Sequence, residues 1–161
     1  MIVISIIMIF SLSFAILLLT NNNVQKMDGN LDLKLTTEKS QIKEGDTFGI
    51  NLVLSNIGNN TVNVWKMNEQ ISYNIHVYYQ NGSKVPYECG VIQRPMLTNE
   101  YLIELSPGGF IEDTFTNSKC WNLEKGEYII NATYQTSSGE DITKPYWIGN
   151  IESNKVMIVV K

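Results

Sequence analysis

Histidine and cysteine are scarce in the 161-residue chain, and that scarcity narrows its chemistry first. There is one histidine, His76, and there are two cysteines, Cys89 and Cys120. Neither CxxC nor HxxxH spacing occurs, so no zinc site is expected. A nucleophile and base pair would have to recruit His76, and no GxSxG elbow presents a serine to it. In YNIHVYY, moreover, His76 falls on the strand face opposite Tyr73, Ile75 and Val77, a position that suits the outer sheet surface. The acidic turn Gly139-Glu140-Asp141 lacks the alternating ligands of a calcium loop. Glu100 with Glu104, and Glu112 with Asp113, are near neighbours in sequence and read as solvated charge on strands. No glycine-rich strand-to-helix turn is present to cradle phosphate, so no cofactor, no metal and no catalytic residue is expected.

Positive charge is scarce too. Twelve Lys and Arg stand against 16 Asp and Glu, a net charge of −4, and no basic cluster occurs. A nucleic-acid partner is therefore not expected, since backbone phosphates are met by clustered cations. Nor does a polybasic stretch accompany the apolar N-terminus to grip anionic lipid.

What is present begins with MIVISIIMIFSLSFAILLLT, uncharged from Met1 to Thr20. Roughly 20 apolar residues cross a hydrocarbon core, whereas the apolar part of a signal peptide usually runs about 7 to 15. Length favours a retained anchor over residues 1–20, with cleavage after Ala15 as the alternative. The expected location is the cell membrane, single-pass, with the domain outside the cytoplasm; signal cleavage would make it secreted. Residues 21–30, NNNVQKMDGN, have no apolar period and read as a polar tether. Residues 31–161 are enough for one domain.

Within that domain the hydrophobic period is two. Leu31, Leu33 and Leu35 share a face, as do Phe48, Ile50, Leu52 and Leu54, then Val62 and Val64, then Tyr73, Ile75, Val77 and Tyr79. FIEDTFT alternates less cleanly around Ile111, Asp113 and Phe115, and Val156, Ile158 and Val160 close the chain. Turn signals separate these runs: SNIGNN, QNGS, SPGG, EKGE and SSGED. Asn81-Gly82 predicts a two-residue type I′ hairpin. Short strands with regular turns and no helical period predict an all-β protein, an antiparallel β-sandwich behind one N-terminal transmembrane or signal helix.

The stretch Glu124-Lys125-Gly126-Glu127-Tyr128-Ile129-Ile130 matches the tyrosine-corner signature of immunoglobulin-like domains, with Ile130 where those domains carry cysteine. Tyr128 is expected to bond backbone a few residues upstream. Ile130, Ala132 and Tyr134 then point into the core, and Ile129, Asn131 and Thr133 the other way. Because Ile130 removes the usual inter-sheet disulfide, Cys89 and Cys120 have another role: a bridge in an oxidising compartment, or two buried thiols. A bridge would close a loop of about 30 residues and contribute roughly 3 to 4 kcal/mol by the chain-entropy model. Sequons stand at Asn59, Asn81 and Asn131. Of Trp65, Trp121 and Trp147, one or two are expected at the surface, where exposed aromatics mark interaction sites.

The order of motifs resembles secreted immunoglobulin-like modules, and is similar to bacterial intracellular proteinase-inhibitor domains in FGINLVLSNIGNNTVNVW, YNIHVYYQNGSKV, LIELSPGGFIEDTF and LEKGEYIINATY, across residues 31–135. The tail YWIGNIESNKVMIVVK looks like the closing strand of cell-envelope modules. The resemblance implies an immunoglobulin-like sandwich. It leaves two functional expectations. One is a non-enzymatic extracytoplasmic binding module with a protein or envelope partner, held to the membrane through its N-terminal segment. The other is a protease inhibitor that presents residues 91–100 as a tethered loop, with Arg94 or Met96 offered to a protease.

Overall fold

The computed structural model describes residues 26–136, 139 and 142–161. The expected anchor lies outside the described residues, as do Glu140 and Asp141 of the acidic turn. Among the described residues no helix is long and apolar enough to cross a membrane.

Period-two alternation becomes two sheets with one shared core. In the first, β2 (Leu31–Thr37), β4 (Ile50–Asn56) and β8 (Phe110–Phe115) are antiparallel in that order, with β4 central. Leu33 pairs with Leu54 and Leu35 with Leu52, and all four side chains are buried. The second sheet is organised by the 11-residue β9 (Gly126–Thr136). On one side it pairs with β6 (Tyr73–Tyr79); on the other, β12 (Val156–Val160) takes its first half and β11 (Gly149–Glu152) its second. A short β3 (Gln41–Ile42) runs parallel to the outer edge of β12. The inward faces of the two sheets form a single hydrophobic cluster. The protein is thus an all-β sandwich.

Two further ladders close the ends. β5 (Val62–Trp65) pairs with β7 (Leu102–Leu105), joined to the first sheet across Asn56. Asn56 is buried, its backbone bonds Gly108 and Gly109, and its amide donates to the carbonyls of Asn60 and Leu105 at 2.8 and 2.9 Å. β1 (Lys26–Met27) pairs in parallel with β10 (Tyr146–Trp147). That corrects the expected tether: its second half belongs to the folded domain, because Met27 packs against the core.

Three other expectations need correction. The turn after β6 is not type I′. Asn81 does not take a positive φ; Gly82 does, at 84°, with its N–H bonded to Tyr79 O and Tyr79 N–H bonded to Ser83 O. This is the three-residue hairpin with a left-handed glycine bulge. All three tryptophans are buried: Trp65 and Trp147 lie in the short ladders, which alternation alone does not reveal, and Trp121 packs against the rings of Tyr87 and Phe115. Asp113 alternates with Ile111 and Phe115 because it points inward, where its carboxylate accepts the Tyr73 hydroxyl at 2.8 Å. Glu112 faces the other way on the same strand, so the two acids do not converge.

The tyrosine corner forms as expected. Tyr128 Oη donates to Glu124 O at 2.9 Å, and Ile130, Ala132 and Tyr134 are fully buried.

Candidate functional site

Cys89 and Cys120 are joined, with Cα atoms 5.0 Å apart. Cys120 ends a 3-10 turn, Ser118–Cys120, that is locked to the core by Phe48 N–H donating to Ser118 Oγ at 2.9 Å. Glu88 N–H reaches Cys120 O at 2.8 Å. One end of the following loop is therefore fixed to buried structure. From Cys89 to Leu97 the chain has no strand, and Val91 and Met96 are 94% and 65% exposed.

Gln70 fixes the middle of that loop. Its Oε1 accepts Ile92 N–H at 2.8 Å, and its Nε2 donates to Gly90 O and to Tyr87 Oη, both at 3.1 Å. Its own carbonyl accepts Arg94 Nε–H at 3.1 Å. Gln70 adopts a left-handed φ of 61°, a conformation that costs a non-glycine residue energy and persists where surrounding bonds hold it. Its N–H, bonded to Tyr73 O at 2.7 Å, supplies one of them. The loop is thus exposed yet held, and it does not add a strand to either sheet.

Between the loop and β6 lies a cavity of about 200 Å³. Glu69, Tyr87 and Gln70 line one wall, Ile75 and His76 the other, and Lys84 and Arg94 also line it. Burial raises Glu69 above the usual carboxylate range; the nearby Asp113 charge adds to this, while the hydrogen bond from Tyr87 Oη, at 2.8 Å, opposes it. Tyr87 is raised by burial and by serving Glu69 as a donor. Burial lowers His76, reinforced by the Lys84 charge and opposed by Glu152. His76 is therefore a neutral imidazole near neutral pH, its Nε2 3.2 Å from Thr133 Oγ1. A larger cavity, about 350 Å³, opens beside Trp121, where Glu44, Asp46, Glu88 and Lys119 line it with charges of both signs.

The other expected residues distribute as follows. Arg94 and Met96 share the loop, but Arg94 is folded back onto Gln70 while Met96 projects. Asn59 and Asn81 are exposed on turns. Asn131 is only 5% exposed, which corrects its expected place among the possible glycosylation sites: it sits in β9 directly opposite His76, closed off in the folded domain. Glu100 and Glu104 are both exposed. Among the described residues no group of three acidic, histidine or cysteine side chains gathers as metal ligands. Sequence reasoning missed Glu69, Gln70 and Tyr87. For Glu69 and Gln70 the only signal was a polar break, NEQIS, before an alternating strand; Tyr87 carried none.

No protein-family model matches the chain, and a comparison with curated proteins finds no match. Among solved structures the chain is similar to the CARDB domain of a Pyrococcus furiosus protein, determined in complex with di-metal ions. The identity is 16%, the TM-score 0.44, and the alignment covers 86% of this chain and 94% of that one.

Proposed function

We propose that the protein is a non-enzymatic, extracytoplasmic binding module of the cell envelope, attached to the membrane through its apolar N-terminal segment and acting on a protein partner. The observation that carries this reading is the loop after Cys89, fixed by a disulfide at one end and by Gln70 in the middle while Val91 and Met96 remain exposed. A loop held in one conformation loses less entropy on binding, and a rigid scaffold presenting such a loop is a usual site of recognition. To test it, a photo-crosslinking phenylalanine analogue replaces Val91, or Lys39 as a control on a distant exposed turn, in the full chain mixed with envelope membranes. A discrete adduct from position 91 alone is expected. No adduct, or the same adducts from both positions, would remove the loop from the binding surface.

A second reading, a protease inhibitor, is favoured by the projection of Met96 from the held loop. Arg94 is engaged with Gln70, so Met96 is the side chain offered. Titration against a protease with an apolar specificity pocket tests it: stoichiometric loss of activity with an uncut loop supports inhibition, and simple digestion rejects it.

A further inference from the structure

The outer edge of β6 changes partner along its length. In an antiparallel strand, the N–H and C=O of one residue point the same way and alternate residues face opposite neighbours. Val77 O accepts Val85 N–H at 2.8 Å, and Tyr79 N–H donates to Ser83 O at 2.9 Å, so the odd-numbered residues face away from β9. Tyr73 is also closed on this side, by Asn68 O and Gln70 N–H at 3.2 and 2.7 Å. Between these closed positions lie the N–H and C=O of Ile75; the N–H of Val77 is covered, since Val77 is fully buried with Val85 opposite it. Among the described residues neither of these two Ile75 groups has a partner.

The cause is local. The returning strand pairs with β6 through Lys84 and Val85 and stops at Pro86, which has no N–H to continue a ladder. The strand position it leaves opens into the 200 Å³ cavity, which Ile75 lines. Lys84 and Arg94 line the same cavity, both exposed, and among the described residues neither is ion-paired.

We propose that this edge receives an extended, acidic segment of a protein partner. The segment's main chain bonds the N–H and C=O of Ile75 in the strand position vacated after Val85. Its acidic side chains meet Lys84 and Arg94, and an apolar side chain enters the cavity beside Tyr87 and Val91. Strand addition of this kind draws affinity from main-chain bonds and selectivity from pockets for alternate side chains. Small-molecule sites span roughly 300 to 1,000 Å³. At about 200 Å³ the cavity suits one side chain of a larger partner. Charge selects the acid: the sole carboxylate lining the cavity, Glu69, is already engaged by Tyr87 Oη, which leaves the two cations to the ligand. The proposal rests on the binding-module reading and adds the chemistry of the partner.

The test uses the full chain in detergent with two blocked, dye-labelled octapeptides, one alternating Glu and Val, the other Lys and Val. Fluorescence anisotropy should show binding of the acidic peptide only, weakened about tenfold or more by Lys84→Glu combined with Arg94→Glu. Saturation should slow amide hydrogen exchange at Ile75 while leaving Tyr79, already bonded to Ser83, unchanged. Equal binding of both peptides, no binding of the acidic one, or unaltered exchange at Ile75 overturns the proposal. Protection of Ile75 that grows with protein concentration in the absence of peptide overturns it in favour of a second copy of the chain. If position 91 crosslinks but these measurements fail, the partner chemistry falls and the binding module stands. If they succeed without a crosslink, the exposed loop falls as the contact to an envelope partner and the β6 edge site stands.

Discussion

The side-chain amide of Asn154 bonds both main-chain groups of Leu35: Leu35 N–H donates to Oδ1 at 2.8 Å, and Nδ2–H donates to Leu35 O at 3.0 Å. An amide has the donor and acceptor of a peptide unit, so one side chain from the second sheet stands in for a strand at the edge of the first. The arrangement also explains the interruption between β11 and β12, where Ser153 bonds Ala132 while Asn154 reaches β2. It blunts an edge that would otherwise be free to pair with another chain. Asn154→Ala should cost about 1 to 3 kcal/mol, the loss expected when part-buried donors and acceptors are left unpaired. Asn154→Asp should recover little, because it restores no donor and sets a carboxylate against a carbonyl. Urea denaturation of both variants checks this.

Tyr128→Phe removes the bond to Glu124 O and leaves the ring in place. A loss of about 1 kcal/mol is expected. The midpoint of denaturation should move with no change in its slope, because the surface exposed on unfolding is the same.

Replacing both cysteines by serine should lower stability by roughly 3 to 4 kcal/mol, given a closed loop of 31 residues. Proteolytic cutting between residues 90 and 97 should increase with it, since the loop then loses its anchor at Cys120. Timed digestion of oxidised and double-serine proteins measures the second effect.

Two groups beside the cavity give opposite pH dependences. His76 is lowered below its ordinary value of 6.5, so the folded state binds fewer protons than the unfolded chain. Its share of stability is complete above about pH 6.5 and is lost as pH falls through the folded value. Glu69 is raised above 4.5, so its share is complete below about pH 4.5 and is lost as pH rises through the folded value. His76→Gln should flatten the acid-side loss relative to wild type. Glu69→Gln, which keeps an acceptor for Tyr87, should remove the decline on the rising side. Melting temperatures from pH 4 to 8 distinguish the two.

Much of the fold was legible in the sequence, for reasons visible at particular residues. Leu31 to Leu35 and Ile50 to Leu54 alternate because one sheet face is buried, a constraint written every second residue. Asp113 blurred the pattern in β8 because the partner that lets it point inward, Tyr73, lies 40 residues away. Of the candidate site, Cys89, Cys120, Arg94 and Met96 were visible by residue type and position. Gln70 was not, because its role comes from a backbone twist and four bonds to distant chain.

By itself the sequence determined that the longer alternating segments are strands, where turns separate them and how the tyrosine corner closes, since period-two burial, glycine turns and a bond across four residues are local properties. Tertiary structure alone decided that Asn154 serves Leu35, 119 residues away, that all three tryptophans are covered, and that the main-chain N–H and C=O of Ile75 are left without a partner among the described residues. Each of these depends on which distant segments the packing of two sheets brings together, and no local period encodes that choice.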